Sequence, residues 1–323
     1  MKTLRTALSR ARHALAPRRF PAVVLLYHRV AELDLDPWEM AVSPTAFEGH
    51  MAVLRERFRP VSLGRLRTEL LEGRIESGTV AVTFDDGYED NLTEAVPLLS
   101  RYGVHASVFL VSAALGSEGE FWWDQLERLL LAPESVPNTL VVSIEGRRHS
   151  WEIGPDRRRP YKELWQLLRP LPNGAREDVL ADLRAWGAQP LEARPTHRTL
   201  STEQAAELAG TGVVEVGAHT VTHPRLASLT AQEQRYELAA SKQGLEDLLG
   251  APVTQFSYPF GGAADYSPAT VALAGEVGFE VACTNLGKGV DRRSDPLRLP
   301  RIYVRDADPA TFEKSLSRWL GVR

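Results

Sequence analysis

A chain of 323 residues that is 43% hydrophobic and 25% charged has apolar material for a sizeable core, which excludes the disordered and fibrous classes. Its formal net charge of −4 argues against nucleic acid as a partner and suits a neutral or weakly charged ligand. The single cysteine, Cys283, excludes an intramolecular disulfide and a Cys-rich zinc site; in the apolar run Phe279-Glu-Val-Ala-Cys-Thr it reads as a small buried residue.

In chain order, residues 1–20 form a basic amphipathic segment. Leu4, Leu8 and Leu15 share roughly one helical face, with Arg5, Arg12, Arg18 and Arg19 elsewhere around it. That pattern fits a helix touching anionic lipid at the inner membrane face, and equally a leading helix docked on the body. Arg5, Arg10 and Arg12 interrupt any signal-peptide core, and no run approaches the length of an apolar transmembrane span, so the expected location is cytoplasmic.

Residues 21–323 read as one domain of alternating β/α units. Seven short apolar runs predict strands: Val23–Val30, Thr79–Phe84, His105–Val111, Val213–Ala218, Gln255–Pro259, Phe279–Thr284 and Arg301–Arg305. Helix starts stand between them. Ser43-Pro44 and Ser267-Pro268 each place a serine cap before a first-turn proline, and Ser201 with Gln204 has capping-box spacing. From about 117 to 198 the alternation breaks. A helix at Trp123–Leu131, a hairpin turning at Glu145-Gly146 and helices from Tyr161 and Ala175 predict an insertion between barrel units. Seven strands in this order predict a closed or partly open barrel, whose strand C-termini should collect the chemistry.

The chemical residues do fall at such positions. Thr83-Phe-Asp-Asp-Gly87 ends a strand with paired carboxylates and a glycine, and both carboxylates can share a site only if the strand has begun to turn. Asp-Gly is also a common turn pair, so the segment alone leaves a plain turn open. His219-Thr-Val-Thr-His223 follows another strand; its spacing predicts a helical turn with both imidazoles on one side, able to grip one ion. With Asp86 this makes a three-ligand set that leaves coordination positions open for water and substrate. Phe256-Ser-Tyr-Pro-Phe-Gly-Gly262 predicts a rigid turn that can approach a ligand, or an ordinary loop, with Tyr258 and Phe260 as its candidate contacts. His28, closing Leu25-Leu-Tyr-His28, is a candidate acid on the same barrel face, or a satisfied core histidine. Trp123 is a candidate platform for a pyranose ring, although tryptophans mostly pack in cores.

Together these motifs resemble the polysaccharide deacetylase family, the NodB homology domain of carbohydrate esterase family four, from about Val23 to Leu316 with the insertion interrupting. The resemblance implies a distorted (β/α)7 barrel. It also implies Asp85 as general base, Asp86, His219 and His223 as ligands of a divalent metal, commonly zinc, and an N-acetylated oligo- or polysaccharide as substrate. Two departures stand out. Ser257 occupies the position where many members carry an arginine that orients the catalytic aspartate, and no histidine follows His223 to serve as the late general acid. In the branch resembling exopolysaccharide deacetylases a Tyr-His motif on the first strand supplies the acid, which implies His28; Arg301, from its position, is the candidate replacement for the missing arginine. The rival expectations are a glycan-binding protein on the same fold that has lost turnover, and an O-deacetylase.

Overall fold

The computed structural model describes residues 19–188 and 192–322, so most of the basic segment 1–20, and with it the expected membrane contact, lies outside the described residues. Six parallel strands form most of a barrel: β1 (Ala22–Tyr27), β5 (Thr79–Phe84), β6 (Ala106–Leu110), β9 (Val214–Ala218), β10 (Gln255–Ser257) and β11 (Val281–Thr284). Three two-residue strands stand beside them: β2 (Arg29–Val30) paired with β3 (Ala41–Val42), and β4 (Arg59–Pro60) paired with β5. Strands β1 and β5 are buried along their whole length, as expected when helices cover one side and other strands face the other.

One segment of chain closes the barrel. Leu299 and Pro300 (β12) pair with β11, whereas Ile302 and Tyr303 (β13) pair with β1, so residues 299–303 touch both edges of an otherwise open sheet. Counted as one stave, they complete a (β/α)7 barrel. The last strand therefore begins two residues earlier than its apolar run indicates, and Arg301 sits at the hand-over between its two partners. Pro300, which has no N–H to give to a ladder, is tolerated at such a point.

Strand alternation sorts the side chains. Val24, Ala81, Phe109, Val281, Cys283 and Leu299 meet one another in the barrel interior, together with Leu63, Leu66 and Leu70 of the helix Leu63–Leu71. Their neighbours Val23, Leu25, Val82, Val108, Phe256 and Ala282 pack outward. Gly217 makes room for this filling: a Cβ there would lie 2.5 Å from the Phe109 ring. The interior is thus plugged with apolar groups, and the next inward layer, at the strand C-termini, is free to be polar.

The predicted helix caps are present. Ser43 and Ser267 accept from the backbone N–H groups of Ala46 and Thr270, and Ser201 forms its capping box with Gln204. Between β6 and β9 the chain makes the inserted unit: the helix Trp122–Leu130, the hairpin β7 (Thr139–Ile144) and β8 (Arg147–Glu152), and the helices Arg158–Leu168 and Asn173–Gly187. The hairpin turns through Glu145 and Gly146, both at positive φ, the geometry that matches strand twist. This unit has its own apolar cluster, which meets the barrel through Tyr88, Val111 and Phe260. Among the described residues no helix is long and apolar enough to cross a membrane.

Candidate active site

The polar layer above the barrel plug begins with Asp85, whose N–H still donates to Tyr27 O in the ladder at 3.1 Å. The next residue, Asp86, adopts φ 76°, followed by Gly87 at φ 80°. This left-handed step is the turn that adjacent carboxylates require to face one site. For a non-glycine residue it costs about 1–2 kcal/mol, which the surrounding contacts must offset.

His219 leaves β9 with its N–H on Leu110 O, but His219 to His223 is not a helical turn. Thr220 and His223 both have positive φ, and the loop is held from outside: Glu237, on the helix Ala231–Leu249, accepts from the N–H groups of Val221 (2.8 Å) and Thr222 (3.0 Å) and from the Thr222 hydroxyl (2.7 Å). The expected juxtaposition of imidazoles is therefore reached by a pinned loop instead of helical periodicity. Nothing in the local spacing reveals Glu237, which reads as one more helical glutamate.

Asp86, His219 and His223 offer ligand atoms that all lie within 4.8 Å of one another. Asp86 Oδ1 is 3.6 Å from His219 Nε2 and 3.5 Å from His223 Nε2. A tetrahedral zinc ion with donors at about 2.0–2.2 Å holds those donors about 3.3–3.6 Å apart, which the two separations from Asp86 Oδ1 match. The protonation states agree. His219 Nδ1 lies 2.7 Å from Ser257 O, to which it donates, leaving Nε2 as an acceptor turned toward Asp86. Burial holds both imidazoles below their ordinary range, hence neutral. Burial, and next the charge of Asp85, push the Asp86 carboxyl well above the carboxylate range. A buried acid short of positive charge beside two neutral imidazoles is the electrostatic situation that a divalent cation relieves.

Asp85 is treated oppositely. Arg301 Nη1 donates to its Oδ1 at 2.7 Å and Nη2 to its Oδ2 at 2.6 Å, a bidentate pair buried inside the barrel. Nη2 also donates to Ser257 Oγ (2.8 Å) and Asn285 Oδ1 (2.7 Å). Burial alone would raise the Asp85 carboxyl; the Arg301 guanidinium, helped by His219, overrides it and holds Asp85 well below the ordinary range. The structure thus places a guanidinium against Asp85 from the last strand, beside the Ser257 that stands where the motif arginine is missing.

His28 is half-buried at the rim, with its ring 5.4 Å from that of Tyr303 and its Nδ1 without a partner among the described residues. Burial lowers its pKa to about 4, against the pull of Asp85. The Phe260 ring stands 4.8 Å from the His223 ring, and its backbone turns through φ 61°.

Two expected contacts are corrected. Tyr258 does not face the site: alternation turns Ser257 inward and Tyr258 outward, where its hydroxyl donates to Leu297 O at 2.9 Å and its ring stacks on Tyr266. Trp123 does reach the site, 4.8 Å from the His223 ring, but it is only 5% exposed and one face is stacked on Phe121 at 4.5 Å. Its indole N–H donates to Tyr88, whose hydroxyl donates to Asp124. Trp123 is a wall of the ligand cluster and has no open face for a sugar.

A second group of three potential ligands, Asp124, Glu127 and His197, also lies within 4.8 Å, deep in the inserted unit. Burial pushes Asp124 up to about 7 and His197 down to about 3.

Comparison with known proteins places this geometry. The family model described as polysaccharide deacetylase matches residues 72–138 and 185–282; the unmatched stretch between them carries the hairpin and the two helices that follow it. The protein YxkH of Bacillus subtilis, named for the same family, is 22% identical over 292 residues, covering 89% of this chain and 72% of the relative. Among solved structures, the Streptococcus pyogenes deacetylase PplD in complex with acetate superposes with a TM-score of 0.60 at 17% identity, covering 93% of this chain and 99% of that one. IcaB from Ammonifex degensii gives a TM-score of 0.60 at 20% identity, covering 94% and 98%. At these identities the two structures speak for the fold.

Proposed function

Given that the chain belongs to the polysaccharide deacetylase family, we propose that it hydrolyses the acetamido group of N-acetylated sugars, in a polysaccharide or its lipid-linked precursor, with a divalent ion held by Asp86, His219 and His223. We take the ion to be zinc, whose catalytic sites include the set of one carboxylate and two imidazoles with an open position. The observation that carries this reading is the convergence of those three donors beside a separately ionised Asp85.

An ion bound by these residues supplies Lewis acidity toward the acetyl carbonyl and raises the acidity of water. Asp85, kept ionised by Arg301, accepts the proton of the attacking water. Its low basicity is the cost of that anchoring, and in return the bidentate contact fixes both carboxylate oxygens in direction. A backbone N–H at the Phe260 turn meets the developing oxyanion. His28 donates a proton to the departing nitrogen, since an amide anion is too basic to leave. With a pKa of about 4 it is neutral at pH 7 in the free site; as negative charge develops on the substrate next to it, it takes up the proton that Asp85 has removed from water and passes it to the nitrogen, which leaves Asp85 ionised again.

The glycan-binding alternative drew on Ser257 and on the missing late histidine; the Arg301 contact with Asp85 weighs against the first ground, and His28 is the group proposed to answer the second. Product analysis separates N- from O-deacetylation. The experiment that tests the reading is Asp85→Asn, which is expected to leave the metal content intact and to lower acetate release by about 10²–10⁴-fold; undiminished release would refute the role of Asp85.

A further inference from the structure

The ligand cluster and Asp85 are nearly sealed: Asp85, Asp86, His219 and His223 are each no more than 5% exposed. A sugar must therefore approach over the rim, and the aromatic groups there differ in what they have left to offer. Trp123 has spent its faces on Phe121, Trp122 and His223. Tyr303 is different. It is 36% exposed, among the few large apolar side chains of the described residues to be so open, and its ring meets His28 at a 45° tilt.

The sequence position explains the placement. Tyr303 ends the stave that closes the barrel, two residues beyond Arg301, and pairs with Leu26 of β1, two residues before His28. The chain direction that delivers Arg301 to Asp85 therefore delivers Tyr303 to the rim beside His28. Its hydroxyl donates to Glu39 O at 3.1 Å, which fixes the ring from the loop side, so little side-chain entropy remains to be lost when something rests on it. Glu39, which accepts from that hydroxyl, and Arg305, two residues past Tyr303, belong to the lining of a groove of about 630 Å³ together with Glu32, Asp36 and Asp306, a volume that can take further sugar units.

We propose that Tyr303 is the platform on which the pyranose ring carrying, or adjoining, the scissile acetamido group rests, with the polymer continuing into the adjoining groove between residues 31–43 and 305–306. This rests on the deacetylase reading of the same site. A partly exposed aromatic ring accepts the C–H face of a pyranose, and a ring already anchored loses little freedom when the sugar settles on it. Tyr303 is accordingly a specificity-determining residue that binds sugar and leaves the bond-breaking to its neighbours.

The probe is the fully N-acetylated chitin pentamer with zinc-loaded protein. Tyr303→Ala is expected to raise KM about tenfold with kcat within about twofold, while Tyr303→Phe, which keeps the ring, stays near the wild type. An unchanged KM in Tyr303→Ala, or an equal loss in Tyr303→Phe, overturns the proposal. If the wild type releases no acetate from the pentamer, the deacetylase reading fails on that substrate, and calorimetric titration of the pentamer judges Tyr303 separately. About tenfold weaker binding to Tyr303→Ala then supports it, whereas equal binding, or none to the wild type, overturns it. Unchanged thermal melting of both variants shows that the fold is not what was altered.

Discussion

Among the described residues, two places bring three ligand-type side chains within 4.8 Å, and they are not equivalent. At the barrel mouth, Asp86 faces two neutral imidazoles, while the adjacent Arg301 is committed to Asp85. In the inserted unit, Glu127 is already bonded by Arg194 at 2.9 Å and Asp124 by the Tyr88 hydroxyl at 2.7 Å, while Arg194, next after burial itself, and then Arg29 depress His197. The first set has no guanidinium of its own among those residues; in the second, burial still raises both carboxyls, but Arg194 on Glu127 and Arg29 beside Asp124 offset part of it. Proximity of donors is thus a weak criterion for a metal centre, and the unmet charge of the ligand set is the stronger one.

The contrast can be broken most forcefully at the two arginines. Removing either strands a buried carboxylate, so Arg301→Met and Arg194→Met should each lower stability by about 3–5 kcal/mol, read as urea midpoints. Only Arg301→Met should also lower kcat, by about 100-fold, because Arg301 and not Arg194 holds Asp85, the proposed proton acceptor. A comparable loss of kcat in Arg194→Met would mean that the inserted cluster takes part in the chemistry.

A smaller effect is expected at Glu237, which pins the His219–His223 loop. Glu237→Ala should weaken zinc affinity about 10–100-fold, measured by competition with a chelator, and Glu237→Gln, which retains an acceptor oxygen, should recover part of it. Glu127→Gln, in the second cluster, should leave zinc affinity unchanged.

The smallest effect concerns pH. His197, with a folded pKa of about 3 against 6.5 when free, binds fewer protons folded than unfolded, so its contribution to stability falls as pH drops from 6.5 toward 3. Asp124, pushed up to about 7, has the opposite sign, so the wild-type curve mixes the two. The difference isolates His197: His197→Gln should lose up to about 1.6 kcal/mol less than the wild type between pH 6.5 and 5, by urea unfolding at each pH. Parallel curves would show that this cluster is open to water.

Much of this architecture was legible in the residues because its physics is local. The buried strands announce themselves as β-branched runs, and Ser43, Ser201 and Ser267 mark helix starts through hydrogen bonds made within three residues. Asp85 and Asp86 were legible because a glycine follows a strand end. What was hidden depends on partners far along the chain. The closing stave is masked by Pro300 and by its change of partner at Arg301; the shape of the His219–His223 loop is imposed by Glu237; and the burial of Trp123 follows from the inserted unit folding over it. Tyr258 is a different case, since strand alternation beside Ser257 already directs it outward, to the Leu297 carbonyl.

The most direct measurement is anomalous diffraction at the zinc edge from crystals of the zinc-loaded protein. The account predicts one strong peak within about 2.0–2.2 Å of Asp86 Oδ1, His219 Nε2 and His223 Nε2, and none between Asp124, Glu127 and His197. A peak at the second cluster with the barrel mouth empty, or no peak at either, would contradict it.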